Sequence, residues 1–175
     1  MKKKKHITFN KYLEIAKTDI YVYSLITIIL SLVLLCIGKT YYFFFDLILI
    51  LMTIGRIITY YNLKSIKLYL IENSLLDKIG KIDYWNEKNY FLTENYVIIK
   101  KRRKVFSFKY SDIKRLFKNN KVSIGRHSGY QQYLHIITSD NEFEILVHST
   151  KLVDEEFKDI TDYLINKNPN IKLDK

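Results

Sequence analysis

The sequence is poor in the residues on which disulfide frameworks and most enzyme sites depend. Its 175 residues contain one cysteine, so no intrachain disulfide can form. Phosphate-binding loops, dinucleotide fingerprints and paired catalytic acids are all missing from the sequence. His127, His135 and His148 have no cysteine beside them, and no close pair has ligand spacing with a carboxylate on the same predicted strand face. We therefore predict no catalytic residue, no metal site, no cofactor and no enzyme activity.

Two long apolar runs occupy the first third of the chain, at residues 20–37 and 41–61. A bilayer core about 30 Å thick requires roughly 20 apolar residues in a helix, and each run is close to that length. The sequence therefore predicts a transmembrane helical hairpin over residues 20–61. The alternative is a cleaved signal peptide, but the first run lacks a small-x-small cleavage site and the second run follows at once.

Basic residues lie on both sides of this predicted hairpin. Residues 1–81 hold 12 Lys and Arg against 5 Asp and Glu, and only Lys39 lies between the two runs. Short loops rich in Lys and Arg stay on the cytoplasmic side of a membrane. We therefore expect a multi-pass membrane protein with residues 1–19 as a basic cytoplasmic N-terminus and both termini in the cytoplasm.

Two charged residues lie inside the second apolar run. Arg56 is about one turn from its cytoplasmic end, so its side chain can reach the interface. Asp46 is the intramembrane polar candidate, because a carboxylate in lipid is costly and is a functional candidate by default. The other reading of Asp46 is a carboxylate hydrated near a helix end. Ten residues separate the two, about 15 Å along a helix, so they cannot pair directly.

Residues 62–81 form a predicted amphipathic juxtamembrane helix, because their apolar positions recur every three to five residues. This helix either continues the second span or lies on the headgroups, and Gly80 is its predicted stop. A homo-oligomer joined through its apolar face is a further option.

Beyond Gly80 the apolar residues alternate instead, which indicates short strands with one buried and one wet face. The seven predicted strands are residues 90–93, 96–101, 104–110, 113–118, 121–126, 132–138 and 143–148. Turn signals separate them, among them Asn119-Asn120 and Asp140-Asn141. A helix follows, with Ser149 and Thr150 as candidate N-caps, and it ends at Asn168-Pro169. Residues 169–175 are a predicted frayed tail.

Two segments, FLTENYVI at residues 91–98 and FKYSDIKRL at residues 108–116, resemble the bacterial PH-like domains, as does Glu155-Glu156-Phe157 before Leu164. With the apolar hairpin in front, the whole chain resembles the YcxB-like family of small bacterial membrane proteins, which implies a bacterial-type inner membrane. The resemblance implies an α+β protein: a two-helix transmembrane hairpin followed, over residues 82–168, by a PH-like seven-stranded antiparallel barrel with a C-terminal helix. The family implies no defined activity.

The most polarised stretch is the run Lys100-Lys101-Arg102-Arg103-Lys104, with Lys114 and Arg115 further along. In PH-like domains, early strand loops often hold an anionic headgroup, so the resemblance makes these seven residues candidates for contact with lipid or with a partner. Each basic residue near an anionic leaflet contributes about 1 kcal/mol. The alternative is a solvated hairpin tip that follows the positive-inside bias.

Nucleic acid is the other acidic partner for such a patch. The nearby aromatic residues alternate along predicted strands, which assigns them to the core, so we expect no nucleic-acid partner. The sequence therefore predicts a membrane-anchored cytoplasmic binding module that contacts a protein partner, anionic lipid or both. The alternative is a structural or immunity-type membrane subunit that acts through its transmembrane hairpin. A transporter would require oligomerisation, because two helices cannot enclose a path.

Overall fold

The computed structural model describes residues 7–37, 43–86, 90–123, 129–148 and 153–174. These residues fall into two compact units. One is helical and ends at Lys81, and the other begins at Ile82 and contains the strands and one helix.

The helical unit consists of two long helices, α1 (Phe9–Ile37) and α2 (Phe43–Glu72). At 1.5 Å per residue each is about 45 Å long, which exceeds the 30 Å of a bilayer core. Both helices are long and apolar enough to cross a membrane. In each helix, no residue of the most apolar 18-residue window is buried in the protein. The prediction of two apolar helices is confirmed. The turn predicted at residues 38–40 lies outside the described residues.

The amphipathic segment after the second apolar run is part of α2, so the alternative in which it continues the second helix is the observed one. Leu63, Ile66 and Leu70 are fully buried, at the three- and four-residue spacing of one helix face. The predicted stop at Gly80 is wrong, because α2 ends at Glu72.

A Schellman-type cap ends α2 eight residues before Gly80. Leu75 N–H donates to the Leu70 carbonyl (2.8 Å), and Ser74 N–H donates to the Ile71 carbonyl (2.9 Å). Ser74 adopts a left-handed backbone with φ of 52°. The cap uses a serine where glycine is the usual residue, so the sequence has no glycine signal at this helix end.

The second unit, which we call the strand unit, contains eight strands among the described residues, in two four-stranded sheets. They are β1 (Ile82–Asn86), β2 (Tyr90–Thr93), β3 (Tyr96–Lys101), β4 (Lys104–Lys109), β5 (Ile113–Ser123), β6 (Gly129–Thr138), β7 (Glu142–His148) and β8 (Lys172–Asp174). The first sheet has the order β1-β2-β3-β4 and is antiparallel; the second has the order β7-β6-β5-β8, with β8 parallel to β5. Helix α3 (Val153–Lys167) lies between β7 and β8 in the chain.

The α+β class and the C-terminal helix are confirmed, and the strand prediction needs three corrections. The sequence pattern does not predict β1, and β8 lies in the predicted frayed tail. The predicted turn at Asn119-Asn120 is wrong, because Asn119 pairs with Tyr133 and Asn120 pairs with Gln132 inside one long strand β5. Pairing with β6 therefore overrides the turn preference of asparagine. The predicted strand over residues 121–126 is the end of β5 as far as Ser123, and its last residues lie outside the described part of the chain.

One hydrophobic core contains side chains of both sheets and of α3. Its buried members include Leu92, Val97 and Ile99 of the first sheet, Leu116, Leu134, Ile136 and Ile145 of the second, and Ile160 and Leu164 of α3. The second sheet follows the predicted alternation. In β2 and β3 of the first sheet that prediction is wrong, because Phe91 and Ile98 lie outside this core and are also fully buried, whereas in β4 Phe106 and Phe108 pack against the core as predicted. Uninterrupted apolar runs are typical of strands buried on both faces.

Candidate functional site

Polar side chains of the two long helices meet each other along one line, which we call the polar seam. Ser31 Oγ donates to Asp46 Oδ1 at 2.9 Å, and the hydroxyls of Thr27 and Thr53 lie 2.9 Å apart. Ser31 and Thr27 are four residues apart, so they lie on one face of α1. The sequence candidate Asp46 is therefore bonded within the hairpin.

Arg56 continues the polar seam toward the other end of the helices. Its Nη2 donates to the Tyr23 hydroxyl at 3.4 Å, and its guanidinium lies 4.9 Å from the centre of the Tyr23 ring. The arginine that the sequence assigns to the membrane interface thus contacts α1. Interhelical polar contacts of this kind contribute about 0.6 kcal/mol each in membrane proteins.

The predicted basic turn is confirmed as the tip of the β3–β4 hairpin. Lys101 and Lys104 are cross-strand partners, and Arg102 and Arg103 form the connecting turn. We call residues 100–104 the basic hairpin. The last four of its side chains are exposed. Lys100 is partly buried, and the resulting desolvation lowers the pKa of its ammonium group.

The tip of the basic hairpin has an unusual backbone. Arg102 has φ of 56°, in the left-handed region. This conformation costs a residue with a Cβ atom roughly 1–2 kcal/mol, and short hairpin turns usually place Gly or Asn there. The fold therefore keeps a positive charge at the tip at the expense of local strain.

The other two sequence candidates, Lys114 and Arg115, are separated from the basic hairpin. They follow the opposite end of β4, and the six residues of that strand span about 17 Å. Arg115 Nε donates to Asp174 Oδ2 of β8 at 2.8 Å. The structure therefore divides the seven predicted contact residues into two groups, of which the second lies beside β8.

His135 is held by two carboxylates that sequence reasoning did not place beside it. Its Nδ1 lies 2.7 Å from Glu142 Oε1, its Nε2 lies 2.9 Å from Glu144 Oε1, and its ring stacks on Phe117 with centroids 4.3 Å apart. The carboxylates contact opposite ring nitrogens, so these contacts are not those of a shared metal ion. Within the described ranges no group of three metal-ligating side chains comes together. His127 and the side chain of His148 lie outside the described part of the molecule.

Two tyrosine hydroxyls connect α3 and the turn after β4 to the first sheet. Tyr163 OH donates to Asp83 Oδ2 at 2.5 Å and lies 3.1 Å from the Thr93 carbonyl, while Tyr110 OH donates to that same carbonyl. Burial is the main cause that raises the pKa of both phenols, and the neighbouring Asp83 raises it further. Both hydroxyls therefore stay protonated and act as hydrogen-bond donors.

Comparison of the chain with protein-family models, with curated proteins and with solved structures finds no match.

Proposed function

We propose that this chain is an integral membrane protein of two spans that presents its strand unit as a binding module, which contacts a protein partner, anionic lipid headgroups or both. The observation that carries the proposal is the surface of α1 and α2, where large apolar side chains are between 40% and 70% exposed along both helices. A soluble monomer rarely exposes an apolar patch of more than a few hundred Å². Lipid is the solvent that such a surface matches.

The polar seam supports the same proposal. In a bilayer, polar side chains of spanning helices face another helix, because lipid offers them no hydrogen-bond partner. Ser31, Asp46, Thr27 and Thr53 bond across the two helices, while the exposed positions of both helices are rich in large apolar residues. Together with the positive-inside bias, this arrangement favours a hairpin with both termini in the cytoplasm of a bacterial-type inner membrane.

The strand unit and the resemblance to PH-like domains support the proposed binding module. Two sheets and a C-terminal helix around one core agree with a PH-like architecture. That the sheets form a closed barrel is part of this proposal. The basic hairpin is the contact surface in this scheme, since its exposed cations have no acidic residue among them. Anchoring raises the effective concentration of the module at the membrane, so weak contacts are sufficient.

Insertion and sidedness are tested together with the single cysteine. In a Cys36→Ala background, one new cysteine is introduced as Lys39→Cys or as Lys175→Cys, and intact cells are treated with a membrane-impermeant thiol reagent. We expect labelling of the first protein only, and resistance of both proteins to alkaline carbonate extraction. Extraction by carbonate, or labelling of the second protein from outside, would contradict the proposed topology.

The target of the basic hairpin is tested with a photo-crosslinking residue in place of Arg103. We expect lipid adducts in bilayers that contain phosphatidylglycerol, fewer adducts in phosphatidylcholine, and a loss of adducts at high salt, because screening weakens contacts between exposed charges. The matched control carries the same crosslinker in place of Lys158, an exposed lysine of α3. In native membranes, an adduct with a protein instead of a lipid would show that the basic hairpin contacts a protein partner. Equal crosslinking from both positions would contradict the role of the basic hairpin as the contact surface.

The second candidate function, a structural or immunity-type subunit that acts through its hairpin, is tested at Asp46. Asp46→Asn removes the charge and keeps an oxygen that accepts the Ser31 hydroxyl. If the hairpin were the working part through this charge, the substitution would abolish recovery of the membrane partner. Under our leading proposal, the same variant keeps its crosslinks at the basic hairpin.

A further inference from the structure

A recess of about 440 Å³ lies in the strand unit, at the start of β5 and away from the basic hairpin. Its lining comes from three separate parts of the chain: the turn before β5 with the first residues of that strand, the segment that follows α3, and β8. A volume of this size is within the range of small-molecule sites.

Asn168 fixes the walls of this recess. Its side-chain amide donates to the carbonyls of Tyr110 (2.9 Å) and Ile113 (3.2 Å), which ties the end of α3 to the start of β5. Its Oδ1 accepts from Asn170 N–H at 3.1 Å. The buried Ile171 holds the following segment in place. Because these bonds are internal, the recess is formed before any ligand arrives, which lowers the entropic cost of binding.

A β-bulge brings two consecutive cations to the same recess. Ile113 pairs with Thr138 and Arg115 pairs with Ile137, so Lys114 is an extra residue in β5. A regular strand would send neighbouring side chains to opposite faces, whereas a bulge re-aims them. Lys114 and Arg115 accordingly both line the recess.

A third cation completes the group from the neighbouring strand. Lys172 of β8 lies directly opposite Arg115 of β5, and like charges in opposite positions destabilise a sheet. Asp174 pairs with Arg115 and neutralises it. Within the part of the chain that the structure describes, Lys114 and Lys172 make no ion pair. The recess therefore keeps an excess of two positive charges.

We infer that this recess binds the phosphate group of a phosphomonoester. Such a group carries about −1.5 to −2 charges at pH 7 and offers three acceptor oxygens, which matches two unpaired ammonium groups. Lys114 and Lys172 bind the phosphate oxygens, and Arg115, oriented by Asp174, contributes to the positive field. The same group occurs in soluble phosphate compounds and in monoester lipid headgroups. The inference does not depend on the proposed role of the basic hairpin.

The test uses the full chain in nanodiscs of phosphatidylcholine, titrated with inorganic phosphate and followed by the backbone amide NMR shifts of residues 111–115 and 170–173. We expect saturable shifts in the wild type and about tenfold weaker binding in Lys114→Gln/Lys172→Gln, because both ammonium groups that contact the phosphate are lost; tenfold corresponds to about 1.4 kcal/mol. Lys114→Arg/Lys172→Arg keeps the binding. The matched control, Lys64→Gln/Lys158→Gln, removes two exposed lysines outside the recess and also keeps it.

A second arm distinguishes the two sources of phosphate. If the ligand is a lipid headgroup, nanodiscs with phosphatidic acid shift the same amides without added phosphate, and Lys114→Gln/Lys172→Gln abolishes those shifts. If the ligand is a soluble compound, inorganic phosphate shifts these amides and phosphatidic acid does not. The inference is overturned if phosphate causes no saturable shift in the wild type, or if the control pair weakens binding as much as the recess pair. Neither arm involves the basic hairpin. A negative result for phosphate binding in the recess therefore leaves the proposed role of the basic hairpin untouched, and the reverse also holds.

Discussion

Replacing Arg102 by glycine should stabilise the strand unit, although it removes a side chain from the tip of the basic hairpin. Arg102 has φ of 56°, and relief of a left-handed conformation is worth roughly 1–2 kcal/mol. Glycine also gives the unfolded chain more freedom, which offsets about 0.5–1 kcal/mol of that gain. The expected net gain in the free energy of unfolding is therefore about 0.5–1 kcal/mol. For a domain of this size, that gain corresponds to a rise in Tm of about 2–8 °C.

The matched control is Arg103→Gly, at the second residue of the same turn. Arg103 is not among the residues with positive φ, so glycine relieves nothing there and should lower stability by about 0.5–1 kcal/mol. Both variants lose one positive charge at neighbouring positions, so removal of charge repulsion affects them equally. The assay is thermal unfolding of the full chain in detergent, followed by the near-UV circular dichroism of the strand unit. Equal Tm changes for the two variants would refute the strain argument.

Two further predictions use the same unfolding assay. Ser74→Gly relieves the left-handed residue in the cap of α2 and should stabilise the helical unit by several tenths of a kcal/mol. Ser65→Gly, inside the helix, should destabilise it by about 0.5 kcal/mol, the difference between the helix propensities of serine and glycine. The reverse order would contradict the capping geometry. The raised pKa of Tyr163 contributes stability that is fully present below pH 10, the ordinary value for tyrosine, and is lost as the pH rises above it. Tyr163→Phe should therefore lower stability at pH 8 and reduce its dependence on pH above 10, and an unchanged alkaline slope would contradict this interpretation.

The predictable parts of this fold are those in which local pattern and tertiary packing agree. Two apolar runs of helical length indicate the two long helices, and the Arg102-Arg103 turn lies between two strands, as the alternating pattern predicts. The Asn119-Asn120 turn was mispredicted because both residues occupy ladder positions in β5, where pairing with β6 outweighs their turn preference. No local signal separates these asparagines from those of a real turn.

The surroundings of His135 were within reach of the sequence. The predicted turn at Asp140-Asn141 leads to a hairpin in which His135 pairs with Glu144, as the structure shows. Glu142 and Glu144 lie on the strand next to that of His135, so spacing within one strand does not reveal them, whereas pairing across the predicted hairpin does. The bulge at Lys114 is different, because it depends on a one-residue shift between β5 and β6 that no residue in the segment signals.

The placement of the basic residues argues against a merely solvated surface. A solvated face needs only exposure, which any regular turn or strand provides. Here Arg102 occupies a left-handed backbone position, and Lys114 is the extra residue of a bulge that brings it beside Arg115. In addition, Lys172 faces Arg115 across the strand pair, where an acidic residue would stabilise the sheet. Backbone strain persists where the surrounding structure over-determines it, and it clusters at functional sites. This placement agrees with the anionic ligands that we propose for the two basic groups.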